Sequence, residues 1–420
     1  MNIAIIGSGG REHSLCVSLN NSKKVKKIFC IPGNAGTNTI AKNIKLKIDN
    51  FKLLKKFIKK ENIDIVVVGP EKPLVDGIVD FLEDNRVKVF GPSKFASQLE
   101  GSKIFTKNIC KEYNIPTANF GIFKTIKESI KFLNNNSFPI VIKSDGLASG
   151  KGVYICNTQK SAKKAIKEIF SGKFGKAKNI LIEEFLKGEE MSFFIISDGK
   201  NFKKFGTAQD HKRVGEGDIG LNTGGMGAYS PSRLENDELD KKIIKKIIKP
   251  TLKALKDMNI IFKGFLYAGL MIVKNEPYLI EYNVRMGDPE CQTILPRLKT
   301  DFFEIILSTI NQKLNKVSID WHDNKSLSIV LCSKGYPEKY LSNKEIKNLF
   351  DIELSEDQFI FHAGTKMINK KIYSNGGRVL NFVGTSKNFQ DCRRKALELI
   401  KKINWKHGFF RKDIGHKVIS

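Results

Sequence analysis

The chain has 420 residues, 41% hydrophobic and 10% aromatic, which at roughly 150 residues per domain is about three domains with ample core and excludes peptide hormones, small disulfide scaffolds and disordered polyelectrolytes. Lys and Arg number 72 against 44 Asp and Glu, a net charge of +28, and that balance points first to an anionic partner. Its distribution argues against nucleic acid, because lysines are scattered singly and in pairs, arginine is scarce, and the densest run, Lys241 to Lys249, alternates with isoleucine as a solvated helix face does. Anionic small substrates remain. The seven cysteines are odd in number and scattered, with no CxxC pair, as expected of reduced thiols in a cytoplasm. The opening MNIAIIGSGGREH is too short an apolar run for a signal peptide, and no stretch approaches the roughly 18 apolar residues of a membrane span. A cytoplasmic protein without a membrane partner is expected.

In chain order, residues 2–6 read as a buried strand that Gly7 to Gly10 turn into a helix beginning near Arg11. Ile28 to Ile31, Ile63 to Val68 and Val87 to Phe90 read as further strands, each ending in a Pro/Gly turn, with amphipathic stretches such as Phe51 to Lys60 between them. Alternating strand and helix predicts a parallel sheet with its functional loops at the carboxyl edge, over residues 1–100. From Gly101 the pattern becomes α+β. A helix over Ser102 to Glu112 precedes strands at Ile140 to Lys143, Val153 to Cys156, Ile180 to Phe185, Met191 to Ile196, Leu266 to Val273 and Tyr278 to Asn283, the last two joined by a turn at Lys274 to Pro277. A third unit begins near Val317, with strands at Leu327 to Leu331, Phe359 to Ala363 and Arg378 to Phe382 and a closing helix over Asn388 to Ile403. No low-complexity linker separates the three, so they are expected to pack around a shared site.

Gly7-Ser8-Gly9-Gly10 lies between a strand and a helix, where bare amides and the helix dipole favour a phosphate. A tight turn is the plainer reading. It is not a dinucleotide fingerprint, since Glu12 stands at the third glycine position and the second strand ends in Cys30 and Ile31 rather than an acid. Lys143 to Gly152 places Gly146, Gly150 and Gly152 with Lys151 between two strands, a loop able to close over a polyphosphate and equally readable as a flexible hairpin. It is no Walker A loop, because Gly152 occupies the position of the metal-binding Ser or Thr. Glu281 and Asn283 share a strand face by period two and form a hard-oxygen pair suited to magnesium. Arg285, Asp288 and Glu290 follow at once. Asp210-His211-Lys212-Arg213 and Asn222 to Gly227 are polar, glycine-rich loops of the kind that serve a ligand. His13 and His211 are the two histidines in such loops, no histidine spacing suggests zinc, and no GxSxG elbow supports serine chemistry.

Taken together the motifs resemble the glycinamide ribonucleotide synthetase family of ATP-grasp ligases. The resemblance runs in unbroken order over essentially the whole chain: GSGGREH at 7, PGNAGT at 32, VVGPEKPLVDG at 67, QLEGSKIFTK at 98, IKSDGLASGKGV at 142, IEEFLKGEEMSF at 182, QDHKRVGEGDIGLNTGGMGAYSP at 209, GFLYAGLMI at 264, EYNVRMGDPECQ at 281 and SNGGRV at 374. It implies a Rossmann-like N domain (1–100), an ATP-grasp domain (101–316, with a mobile lobe over about 120–190) and a small C-terminal α+β lid (317–420). It implies a ligase that joins glycine to 5-phosphoribosylamine, with ATP cleaved to ADP and phosphate through glycyl phosphate, in de novo purine biosynthesis. Carried over by motif, Lys103 and Lys143 contact ATP phosphates, Glu183 with the backbone at Phe185 and Leu186 the adenine, and Glu190 the ribose. The loop with Gly146, Gly150, Lys151 and Gly152 closes over the γ-phosphate. Glu281 and Asn283 hold Mg2+ or Mn2+, and Arg285 with Lys151 serves the transferring phosphoryl group. Gly7, Gly9 and Gly10 hold the phosphoribosyl end, with Asp210, Lys212, Arg213, Gly224 and Gly225 also on the substrate side. The expected partners are these small molecules, not nucleic acid, and the expected state is a monomer or weak dimer. Ser144, Ser149, Tyr282 and Met286 depart from the family pattern conservatively. The segments GGMGAY and RMGDPE set the chain apart from the related aminoimidazole ribonucleotide carboxylases.

Overall fold

The computed structural model describes residues 1–147, 152–175, 178–403 and 405–419. At its amino-terminal end five parallel strands lie in the order 42–43, 27–32, 2–7, 65–68, 88–90. The run Ile3-Ala4-Ile5-Ile6 is fully buried because it is the central strand, flanked by Lys27–Pro32 and Ile65–Val68. Period-two alternation sends Ala4 and Ile6 into one core and Ile3 and Ile5 into the other, which explains an apolar run without polar alternation. The Phe51–Lys60 helix buries Leu54 and Ile58 and turns its lysines outward, with Asn50 accepting from the Leu53 amide at its start. Gly7 and Pro32 end their strands and Gly69 and Gly91 directly follow theirs, which puts the four loops at one carboxyl edge, as a parallel sheet requires.

Two large antiparallel sheets follow, besides small two- and three-stranded ones within 213–222 and 345–374. The smaller has the order 120–123, 180–184, 140–144, 153–156, and the helices Ile126–Leu133 and Gln159–Phe170 cover it through Leu133, Ala162, Ala165, Ile166 and Ile169. Thr125 and Thr158 cap those helices. The larger sheet has nine strands. It runs from Glu276–Asn283 through Lys263–Val273, Glu189–Asp198, Phe202–Asp210 and Gly227–Ser230 to Lys325–Ser333, Arg378–Ser386 and Gln358–His362, with Gly408–Phe409 pairing on Lys325–Ser333 as the ninth. Residues 185–188 are the link between the two sheets.

Several expectations are refined. Strand Gly227–Ser230 pairs with Lys325–Ser333, so one hydrogen-bonded ladder joins residues on either side of Val317. The turn at 274 is tighter than expected, with Lys274 and Asn275 both at positive φ (49° and 64°) and Glu276 already paired with Val273, the geometry of a two-residue hairpin. The lysine-rich helix over 241–249 widens into a π segment at Ile244–Ile248 directly before Pro250, which has no amide to give an α-helical bond. All seven cysteines are buried and free. Among the described residues no helix is long and apolar enough to cross a membrane.

Candidate active site

The start of the Lys103–Glu112 helix carries Lys103 and, one turn on, Lys107. Ser102 caps this helix, and Asp145, at the foot of the glycine loop, accepts from the Ser102 hydroxyl at 3.3 Å and the Ile104 amide at 3.4 Å. The loop base is thereby docked on a helix start. Lys103 Nζ donates to Gly146 O at 2.8 Å, and the loop's two stems join through Ser144 N to Gly152 O at 2.9 Å. Gly146 sits at φ +88° with open space around it, so backbone conformation rather than crowding requires glycine there. Gly150 and Lys151 lie outside the described residues.

Lys143 and Lys107 share Glu183. Lys143 Nζ lies 2.5 Å from Oε2, Lys107 pairs with Oε1, and all three side chains are almost fully buried. Burial alone would raise the Glu183 carboxyl, but the two ammonium groups outweigh it and hold it below the usual carboxylate range. Burial lowers Lys103 and Lys107 from the ordinary lysine value. The Glu183 carboxylate, expected at the adenine, is engaged with two lysines. Phe185 and Leu186 stand in the link between the sheets, with Phe185 exposed. Glu190 is the second residue of the next strand and pairs with Lys212 Nζ at 2.6 Å.

Glu281 and Asn283 lie on one face of strand Glu276–Asn283, while Tyr282 between them is buried against Thr251. Neither Glu281 nor Asn283 has a side-chain hydrogen bond among the described residues, and Lys143 Nζ approaches the same strand at Ile280 O, 3.5 Å away. Opposite Glu281 stands Gly269, where a Cβ would come within 3.3 Å of the Glu281 side chain. Among the described residues no group of three or more His, Cys, Asp and Glu is arranged around a metal position. The site therefore offers one carboxylate and one amide oxygen, the sparse protein donation that suits magnesium shared with phosphates and water.

Arg285 is held from two sides, its Nη2 2.6 Å from Glu100 and its Nε 3.3 Å from Glu71. The guanidinium draws Glu71 down to about 2, whereas burial pushes Glu100 up to about 7 despite the same guanidinium. The amino-terminal glycine loop is not bare. Gly9 N donates to Glu12 Oε2 at 2.6 Å and Arg11 N to Asp288 Oδ2 at 3.2 Å, and a Cβ on Gly7 would strike the Glu12 side chain at 2.5 Å. Gly7 and Gly9 thus make room for an internal carboxylate at the helix start. Beside Gly10 lie Gln292 and Asn381. Arg378, from SNGGRV, bridges the neighbouring loops by donating to Gly224 O and Asp288 O, with Asp288 Oδ1 at 3.3 Å. Gly225, at φ +110°, packs on Asp210, whose buried Oδ1 has no partner among the described residues. Burial and then Glu290 push that carboxyl well above its ordinary value. Arg213 donates to Gly220 O within its own hairpin.

The two loop histidines are structural. His13 Nδ1 accepts the His362 amide at 2.8 Å and His211 Nε2 the Gly415 amide at 3.1 Å. Lys107, Glu71, Glu100 and Arg378 were absent from the sequence-based site set, although all lie inside quoted motifs.

Comparison with known proteins accounts for the arrangement. Three phosphoribosylglycinamide synthetase domain models match in succession: the N domain over residues 1–100, the ATP-grasp (A) domain over 101–291 and the C domain over 326–417. The chain belongs to the phosphoribosylglycinamide synthetase family. It is 42% identical to the phosphoribosylamine–glycine ligase of Brucella melitensis, covering 100% of this chain and 99% of that one, and 44% identical to that of Agrobacterium fabrum at the same coverage. The solved phosphoribosylamine–glycine ligase of Thermotoga maritima superposes with a TM-score of 0.86 at 33% identity, covering 99% of this chain and 100% of that one. The biotin carboxylase domain of Hydrogenobacter thermophilus 2-oxoglutarate carboxylase shares the fold at 15% identity and a TM-score of 0.74. This synthetase is an ATP-grasp ligase that joins phosphoribosylamine and glycine in an ATP-dependent step of purine biosynthesis.

Proposed function

We propose that ATP lies between the two antiparallel sheets, with its adenine at the Phe185–Leu186 link, its ribose at Glu190 and its phosphates toward Lys103, Lys143 and Lys107. The observation that carries this reading is the buried Lys107–Glu183–Lys143 triad beside Glu281 and Asn283: a carboxylate that neutralises and orients two cations leaves them fixed for a polyphosphate. In it Glu183 orients the lysines rather than reading the base. Glu281 and Asn283, whose side chains have no hydrogen-bond partner among the described residues, would hold Mg2+ or Mn2+, which would supply charge neutralisation to the phosphates.

Among the described residues no activated Ser or Cys stands in the site, and a carboxylate does not condense with an amine unaided. The glycine carboxylate therefore attacks the γ-phosphorus, giving ADP and glycyl phosphate, and the phosphoribosylamine nitrogen then attacks the acyl carbon and expels phosphate. Arg285, kept charged and aimed by Glu71 and Glu100, serves the phosphoryl group together with Lys151, which lies outside the described residues. Asp210, Lys212, Arg213, Gly224 and Gly225, with Gly7, Gly9 and Gly10, form the side that receives glycine and phosphoribosylamine. Domain limits at 100 and 316 and action as a monomer or weak dimer complete the reading. An ADP-release assay with glycine and phosphoribosylamine added singly and together tests it. Sustained release that requires both supports the reading, and release equally fast without glycine contradicts it.

A further inference from the structure

Arg411 heads the fully buried side chains by size, an unusual place for a guanidinium and far in sequence from the motifs of the site. Its Nε and Nη2 donate to the two oxygens of Asp413 at 2.8 and 2.7 Å, and its Nη1 reaches Asp218 Oδ1 at 2.8 Å and Arg213 O at 3.0 Å. The neighbouring residues grip the same hairpin. Gly217 N donates to Asp413 Oδ2 at 2.8 Å, Lys412 N to Glu216 Oε1 at 3.0 Å, and Gly415 N to His211 Nε2 at 3.1 Å. His416 and Lys417 add longer contacts to Asp218.

The gripped hairpin, Arg213–Gly215 with Ile219–Asn222, forms a two-stranded sheet of its own with an irregular register. It leaves Ile219 67% and Leu221 50% exposed. Of its apolar residues Val214 alone packs on the carboxyl-terminal core, so apolar packing contributes little to its position. Yet Lys212 and Thr223 stand at its two ends, tied by Thr223 N to Lys212 O at 2.8 Å, and Gly224 and Gly225 follow directly. The planar fork of an arginine can bind one carboxylate with two parallel bonds while a third arm holds another, which a lysine cannot reproduce.

We propose that Arg411 is a positioning residue: with Asp413 it clamps the 213–222 hairpin, and so sets Lys212 and Gly224–Gly225 where glycine and phosphoribosylamine bind. This rests on the placement of those two substrates at the 210–225 segment. Burial alone would raise Asp413, but Arg411 and the Gly217 amide draw it down to about 2, so the clamp stays ionised across the working pH range.

The test is Arg411→Lys in the full-length enzyme, with Asp218→Asn as a milder variant that removes only the hairpin-side carboxylate. Arg411→Lys should raise KM for at least one of glycine and phosphoribosylamine about tenfold while KM for ATP changes less than threefold. Amides of residues 215–222 should exchange at least tenfold faster, with those of the Phe389–Lys401 helix unchanged. Asp218→Asn should shift the same KM in the same direction, and the double variant should be no worse than Arg411→Lys alone. Unchanged hairpin exchange, or a rise in KM for ATP equal to that for the other substrates, overturns the clamp. Lys212→Met separates the two readings. If it raises the glycine or phosphoribosylamine KM and Arg411→Lys does not, the clamp alone is wrong; if neither does, the substrate placement is wrong and the positioning role falls with it.

Discussion

At the scale of single residues, the lysine-rich composition hides the lysines that matter. Most, like those of the Phe51–Lys60 helix, face solvent, but Lys107 and Lys143 are 3% and 6% exposed in their side chains and share one carboxylate. Removing Glu183 from such a triad leaves two buried ammonium groups uncompensated, which costs on the order of 3–5 kcal/mol, whereas removing Lys107 leaves Glu183 paired with Lys143. Glu183→Gln should therefore lower stability by a few kcal/mol in denaturant titrations and Lys107→Met by less, while Lys107→Met raises KM for ATP; an unchanged KM for ATP would remove Lys107 from the site. Glu281→Gln should behave differently. Glu281 has no internal hydrogen bond to lose among the described residues, so melting should move by no more than a few degrees while turnover falls about a hundredfold or more and the metal requirement rises. Near wild-type turnover with unchanged magnesium dependence would refute the metal assignment. Glu281 and Asn283 were legible because strand periodicity alone puts them on one face. Lys107 was not, since nothing in a sequence of scattered lysines distinguishes a buried one, and the Glu183 partnership is a contact across 76 positions.

At the scale of elements, glycine loops prove to be packing devices as well as binding devices. Gly225 has φ +110° and a Cβ there would lie 2.6 Å from both Asp210 Oδ1 and Pro289 Cδ. Gly225→Ala should thus be strained in backbone and side chain together, lowering stability by about 1–3 kcal/mol and activity further; an alanine variant with wild-type KM values would show that this turn does not shape the substrate side. The Gly7–Gly10 turn was legible as a turn into a helix, but its occupant was not: Glu12, which marked the departure from a dinucleotide motif, is itself the group that fills the glycine notch. Buried strands were read correctly from their apolar runs. Strand Phe202–Asp210 was missed because Lys203 and Lys204 interrupt its pattern, Lys204 being neutralised by Glu235 and Asp240, and because a register irregularity at Phe194/Ile195 disturbs its pairing. Strand Gly227–Ser230 was hidden inside a glycine-rich loop, and with it the continuity of the large sheet into the carboxyl-terminal unit.

For the whole molecule, buried histidines join the units and should make stability depend on pH. His13 links the first helix to strand Gln358–His362, and His211 links the central sheet to the tail. Burial lowers His211 and His362 to about 4 and His13 well below its ordinary value. The unfolded chain then binds more protons than the folded one below about 6.5, so stability falls as pH drops from about 6.5 toward 4, by up to about 3 kcal/mol per histidine. Glu71, lowered to about 2 by Arg285, adds a further loss as pH falls from about 4.5 toward 2. Glu100, raised to about 7 by burial, acts in the opposite sense, losing stability as pH rises from about 4.5 to 7. Denaturant titrations across pH 4–7 should show a net rise with pH, flatter in His362→Gln and steeper in Glu100→Gln. A flat profile in the unsubstituted protein, unaltered by either change, would contradict the assignment of neutral buried histidines.

The central claim is that this scaffold activates glycine by phosphorylation, and transfer of heavy oxygen tests it most directly. With glycine labelled in its carboxylate oxygens, each turnover should place one labelled oxygen in inorganic phosphate, with ADP as the nucleotide product. Unlabelled phosphate, or release of AMP and pyrophosphate, would contradict the account.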